Sequence, residues 1–301
     1  MRGNAVEAIL RHKTPASTPA RPGAARDERS MTITTITTHI EPAPPETLEA
    51  ALEAPFALAT AHGAQVTALV FPAEAALAEA STPAWELAQR EERAAAHVRA
   101  AADRRGIRCE VRSRSSFAYG IGEVMADHLR VSDLGLLTLR GAPATGQRLV
   151  IGAAVFDSGR PVLLMPSGAR FRVPPARIVV AWDATPAAVR AVHGALPLIR
   201  SAAETLVVSV TDDKEPRHGQ SGIELAHLLA RHGGRAGFAA VRKAGRCVLG
   251  TLVAKAGEGD AEATLLVMGA VRHAPIRNLV FGSATTDLLE AGPPMPVLLA
   301  A

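Results

Sequence analysis

Gly269, Arg272, Gly282 and Ser283 have residue types and a spacing suited to holding an anion. The apolar run Leu265 to Met268 ends on Gly269, as a buried strand does when its carboxyl end must turn sharply. Gly282-Ser283 then opens a helix-like segment that carries Leu288 and Leu289 on one side. A strand that feeds a glycine-bearing loop into a helix N-terminus cradles anions, because unpaired N–H groups and the helix dipole point into the loop. Arg272, His273 and Arg277 make this loop basic: either a solvated turn or an anion-recruiting lip. Asp183 closes the run RIVVAWD, where a carboxylate can accept hydrogen bonds from a ligand. It can equally serve as a turn or cap residue for a helix beginning near Pro186. Gly269 and Gly282 have the same double reading, as ligand-lining or as turn and packing glycines.

The elements that must position these residues alternate along the chain. Residues 1–30 are rich in Pro, Gly, Arg and Ser and read as a flexible tail. From Met31 the pattern predicts strand 32–40, helix 45–62 capped by Gly63, strand 65–71, helix 85–105 ending at Gly106, and strand 107–112. Helix 119–131, strand 134–139, helix 147–158 capped by Gly159, and strand 161–165 follow. The proline-rich segment Pro166 to Pro175 fits neither period and is the expected boundary. Beyond it the pattern predicts strands 177–182, 205–210, 236–241, 264–268 and 296–299, with helices 186–201, 222–231, 248–256 and 283–291. RPVLLMP, from Arg160 to Pro166, is echoed by MPVLLA, from Met295 to Ala300. LVIGA, from Leu149, is echoed by LVFGS, from Leu279. The expected fold is therefore α/β, with two tandem doubly wound domains at 31–168 and 176–301. Each is expected to be a five-stranded parallel sheet flanked by helices.

Composition agrees with that architecture. Of the 301 residues 48% are hydrophobic but only 3% aromatic, so the cores must be built of Ala, Val, Leu and Ile. A net charge of +4 with interspersed signs, and Tyr119 as the one tyrosine, argue against nucleic acid as partner. No apolar run approaches the ~18 residues of a membrane span, no signal-peptide core follows Arg2, and a cytoplasmic location is expected. Cys109 and Cys247 are read as small buried hydrophobes. His218, His227 and His232 lack a completing cysteine and do not make a convincing zinc set. Ser283, His273 and Asp287 have triad residue types without a nucleophile elbow, and no Gly-Lys-Ser/Thr phosphate loop is present.

Gly269, the loop, Gly282-Ser283 and a closing PVLL strand resemble the C-terminal signature of the universal stress protein family, and VAWDATPAAVRAVHGALPLIRSAA, from Val180 to Ala203, resembles its first strand and helix. ATP-binding members carry Gly, two residues, Gly, nine residues, Gly, then Ser or Thr; here Arg272 stands at the second glycine. The resemblance implies a stress-response binding or regulatory protein holding ATP in the second half. Asp183 would then touch the base or ribose, Gly269 would line the loop, and Gly282 with Ser283 would meet the phosphates. Arg272 would either donate to a phosphate or fill the space that glycine leaves open. The alternatives are an interaction module of the same fold without nucleotide, and a slow ATPase or self-phosphorylating protein acting at Ser283. In the first half Leu139 stands in the place of Gly269 when Gly152 is aligned with Gly282, and strand 1 ends His39-Ile40-Glu41 without an aspartate. No nucleotide is expected there; the half is expected to pack on the other through the PVLL edge strands, as subunits of a dimer would, in an internal pseudo-dimer or a homo-oligomer. No catalytic residue and no metal site are expected.

Overall fold

β-Branched and aliphatic residues at alternate positions make Thr35–Ile40 a strand with two buried faces. Ile36 and Ile40 pack into one apolar layer, while Thr37 and His39 point to the other side. The same logic repeats along a computed structural model that describes residues 32–73, 83–113, 120–169, 171–212, 221–258, 263–273, 280–281 and 283–301. In chain order the elements are β1 (Thr35–Ile40), α1 (Pro45–His62), β2 (Gln65–Val70), α2 (Ala84–Arg105), β3 (Cys109–Ser113), α3 (Ile121–Arg130), β4 (Leu134–Leu139), α4 (Thr145–Asp157) and β5 (Val162–Pro166). They continue with β6 (Arg177–Ala181), α5 (Pro186–Ser201), β7 (Glu204–Val210), α6 (Ser221–Arg231), β8 (Ala236–Val241), α7 (Val248–Ala256), β9 (Thr264–Gly269), β10 (Arg272–His273), β11 (Val280–Phe281), α8 (Ser283–Ala291) and β12 (Val297–Ala300). The tail at 1–30 lies outside the described residues.

Ten strands form one continuous sheet in the order β3-β2-β1-β4-β5-β12-β9-β6-β7-β8. Each half has the order 3-2-1-4-5 and pairs in parallel; the sequence predicts a five-stranded sheet in each half with the PVLL edge strands as the contact between them, and the structure joins the two there into one sheet. The fusion is the antiparallel pair β5–β12, with Leu163 opposite Leu298 and Leu164 opposite Val297. Both strands are buried along their apolar residues, so an unpaired edge there would expose backbone donors and acceptors beside a wholly apolar surface. Helices α1, α2, α5 and α6 cover one face and α3, α4, α7 and α8 the other. Among the described residues no helix is long and apolar enough to cross a membrane.

One echo in the sequence proves false. LVIGA lies in the middle of α4, whereas in its counterpart Val280-Phe281 form β11 and Ser283 begins α8, so the two runs do not fall in equivalent elements. The cysteines also differ from expectation. Cys109 is partly buried, and burial pushes its thiol up to about 11. Cys247 is exposed and caps α7, its Sγ accepting from Gly250 N at 3.2 Å, because a polarisable sulfur satisfies a donor that helix geometry leaves unpaired.

The start of β1 is tied to β4 by one carboxylate. Asp133 Oδ2 accepts from the backbone N–H groups of Thr34 and Thr35 at 2.8 and 3.0 Å, and from their hydroxyls at 2.6 and 3.1 Å. Partial burial pushes this carboxyl up, but the hydrogen bonds from Thr34 and Thr35 outweigh it and hold it below its ordinary value of 3.8. A group whose pKa is depressed by folding stabilises above its unfolded pKa and loses that contribution as pH falls through the folded value. Asp133→Ala is therefore expected to cost about 1–2 kcal/mol at neutral pH, with the gap from the parent closing below pH 3.8 in urea titrations followed by circular dichroism.

Candidate functional site

β6 and β9 are parallel neighbours, with Val180 opposite Val267, and their chain connections leave in opposite directions. Ligands of open parallel sheets bind at such reversals, beyond the carboxyl ends of the strands. Asp183 lies two residues past β6 and Gly269 ends β9, so both stand at this edge.

The β6–α5 turn is tightly built. Asp183 Oδ1 accepts from Thr185 N at 3.1 Å and from Thr185 Oγ1 at 2.7 Å, and Thr185 Oγ1 in turn accepts from Ala188 N at 3.2 Å to cap α5. Between them Ala184 sits at φ 59°, a left-handed conformation that costs a non-glycine residue roughly 1–3 kcal/mol. The turn role is thus what Asp183 visibly performs, with its carboxylate exposed at the lip. The wall beside it is fixed by Trp182, whose Nε1 donates to Ser221 Oγ at 3.1 Å and whose carbonyl accepts from Ser209 Oγ at 2.8 Å.

Gly269 is glycine for a steric reason. A Cβ there would lie 2.5 Å from Ala188 N and 2.8 Å from the carbonyl carbon of Ala187, so the first turn of α5 sits directly over the strand end. Arg272 begins β10, which pairs antiparallel with β11, Arg272 opposite Phe281 and His273 opposite Val280. The sequence predicts a basic loop here, a solvated turn or an anion-recruiting lip, and the structure pairs its described ends as two short antiparallel strands. Ser283 is the first residue of α8. Gly282 and Arg277 lie outside the described residues, as does His218. Asp183 and Gly269 therefore share one sheet edge; β10 follows Gly269 in the chain, and its partner β11 precedes α8. A hollow of about 420 Å³ adjoins this edge, with Arg190, Ala270 and Phe156 among its walls. Arg190 Nε there donates to the carbonyl oxygen of Ala301.

The first half has a crevice at the corresponding reversal, between β1 and β4, which sequence reasoning passed over. It encloses about 120 Å³, and its polar lining includes His39, Glu41, Arg140, Gln147 and Ser167 over an apolar floor that includes Ala51 and Leu139. The Nε2–H of His39 donates to Phe71 O at 2.8 Å, and its ring lies against that of Phe71 at 4.2 Å. Burial pulls its pKa down to about 4, with the bond to Phe71 O opposing. A neutral imidazole makes the 3.8 Å approach of Glu41 something other than an ion pair. Glu41 Oε2 instead accepts from Ala73 N at 3.0 Å. The signal open to sequence reasoning was a charged residue directly after each strand, Glu41 after β1 and Arg140 after β4. Among the described residues no group of three His, Cys, Asp or Glu is placed to hold a metal ion.

No protein-family model matches the chain, and no curated protein matches it. Among solved structures, a universal stress protein from Archaeoglobus fulgidus DSM 4304 superposes with a TM-score of 0.66 at 16% identity, over 88% of this chain and 97% of that one. Two structures of teicoplanin deacetylase align with TM-scores of 0.29 and 0.26, at 14% and 15% identity, over 45% and 44% of this chain and 68% and 69% of theirs. Those scores are too low to indicate a shared fold. The fold of this chain is that of the universal stress protein, a mostly parallel sheet flanked on both faces by helices.

Proposed function

We propose that this chain is a stress-response protein of the binding or regulatory class, holding an adenine nucleotide at the carboxyl ends of β6 and β9. The observation that supports the reading most is the sheet edge that Gly269 shares with the strained turn at Asp183 and Ala184, with the β10–β11 pair and then α8 following Gly269 in the chain. This combines a strand reversal with a helix N-terminus, the arrangement that favours phosphates. On this reading Asp183 meets the base or ribose, Gly269 lines the loop, Arg272 donates to a phosphate, and Gly282 with Ser283 receives the others.

A second reading has its own support. Asp183 Oδ1 is engaged by Thr185, and α5 fills the space above Gly269, so the same edge serves equally as the rigid base of a protein-interaction module. Isothermal titration separates the two. Saturable heat with ATP, and nucleotide released from the purified protein on denaturation, are expected for the first. Absence of both up to about 1 mM ATP, an affinity of only ~4 kcal/mol, sinks it and leaves the second. Arg272→Gly then assigns the arginine: weakened binding makes it a ligand, and strengthened binding makes it an obstruction.

A further inference from the structure

We propose that the outer edge of β8 takes up an extended peptide segment of a partner protein, one with an uncharged β-branched centre and acidic residues at both ends. The ten-stranded sheet ends on β3 at one side and on β8 at the other, and the two edge strands differ in kind. β3 carries Glu110 and Arg112, which pair with each other at 2.6 Å, and charges on an edge strand keep other strands off it. β8 runs Ala236-Gly237-Phe238-Ala239-Ala240-Val241, with neither a charge nor a proline in it. An uncharged edge is a template for a further strand.

The register fixes which backbone groups are on offer. Thr205 N donates to Arg235 O at 2.8 Å and Thr211 N to Val241 O at 2.9 Å, so Gly237, Ala239 and Val241 turn their N–H and C=O groups inward to β7. Those of Ala236, Phe238 and Ala240 point outward, and among the described residues nothing hydrogen-bonds to them. The strand is firmly seated, since the Phe238 ring occupies the space that a Cβ on Gly222 of α6 would take, 2.1 Å away. A rigid template loses little freedom when a partner binds. Charge then selects the partner. Arg235 stands directly before the strand and Arg242 directly after it, both exposed. The acidic residues nearby are engaged: Glu204 with Arg177 at 2.9 Å, and Asp212 with Lys243 N at 2.7 Å, which leaves it 3.9 Å from Arg242. A second copy of β8 laid antiparallel, Phe238 opposite Phe238, would bring Arg235 of one chain beside Arg242 of the other at both ends, like charge near like charge. A segment with acidic ends meets opposite charge at both ends whichever way it runs.

The test uses the full chain and a fluorescein-labelled peptide, Glu-Asp-Thr-Val-Thr-Val-Thr-Asp-Glu with blocked ends, read by anisotropy. Saturable binding is expected, weaker by about tenfold or more when Lys replaces every acidic residue of the peptide, and lost when Pro replaces both valines. Bound peptide should slow amide exchange at Phe238 and Ala240, which face outward, and leave Ala239, already turned to β7, unchanged. Ala240→Pro removes an outward donor without touching the β7 ladder and should abolish binding, whereas Ala240→Thr keeps the N–H and should bind like the parent. Arg235→Glu leaves the backbone of the strand intact, so it keeps the test decisive should Ala240→Pro fail to fold. It should weaken the acidic peptide by about tenfold and strengthen the lysine peptide. Absence of saturable binding up to about 1 mM, equal affinity for the lysine peptide, or full affinity in folded Ala240→Pro overturns the proposal. A dimer in sedimentation that Ala240→Pro converts to monomers overturns it too, by giving the edge to a second copy of the chain.

Discussion

Gly269→Ala is expected to lower stability by about 3 kcal/mol, at the upper end of the range for overpacking, which for a chain of this size means a fall in Tm of roughly 6–12 °C. The added methyl would lie 2.5 Å from Ala188 N and 2.8 Å from the Ala187 carbonyl carbon, both backbone atoms of α5 that cannot rotate away. Relief requires the helix to lift from β9, and α5, whose Ala191, Ala195 and Leu198 are buried, also packs on β12. Gly237→Ala in edge strand β8 is the control, because its Cβ would meet only Leu206 Cδ1 at 3.9 Å and should be close to neutral. Thermal and urea denaturation of the two variants decide the matter. Equal stabilities would mean that Gly269 is not held by packing. The result also bears on the nucleotide test: displacing α5 displaces Thr185 and the Asp183 turn, so lost ATP affinity in Gly269→Ala would not by itself assign Gly269 to the ligand. Asp183→Asn and Ser283→Ala carry that assignment.

Most of the fold was legible because local signals agreed with tertiary demands. Gly63 and Gly106, expected to end two helices, both adopt φ 65° as left-handed caps. The repeated PVLL runs marked two wholly buried strands, and these are the pair that joins the halves of the sheet. What sequence could not carry was register and shape. The β10–β11 hairpin pairs Arg272-His273 with Val280-Phe281, two residues on each side, too few for a period-two pattern to show. The LVIGA and LVFGS echo misled because similar apolar spacing suits a helix face and a short strand equally well. At Gly269 the sequence allowed a ligand-lining or a packing glycine, and only the 2.5 Å approach of α5 reveals the packing cause. The first-half crevice was passed over because it was compared with a nucleotide pattern it does not follow. Its own features, a charge after each of two apolar strands, gain meaning only once β1 and β4 are known to be neighbours.

The stability of the protein is expected to decline between pH 6.5 and about pH 4, with His39 as a principal cause. Its folded pKa is lowered from 6.5 to about 4 by burial, so as pH falls through this window the unfolded chain takes up a proton that the folded chain refuses. Stability rises with pH wherever the unfolded state binds more protons, and a depression of this size corresponds to roughly 3 kcal/mol lost by pH 4. Carboxylates such as Asp133, depressed below 3.8, act at the acid end of the range and below it, which leaves the upper part of the window to imidazole groups. His62, at the end of α1, and His128, in α3, also have pKa values lowered by burial and will add smaller contributions. His39→Gln isolates the main one, because its amide N–H can still donate to Phe71 O but cannot titrate. Urea titrations across pH 4.5–6.5 should show a steep slope in the parent and a markedly flatter one in His39→Gln. Parallel slopes would mean that the imidazole finds a way to accept its proton in place. Among the described residues the route for that is the Glu41 carboxylate 3.8 Å away, which would then have to swing from Ala73 N and change the wall of the crevice it lines.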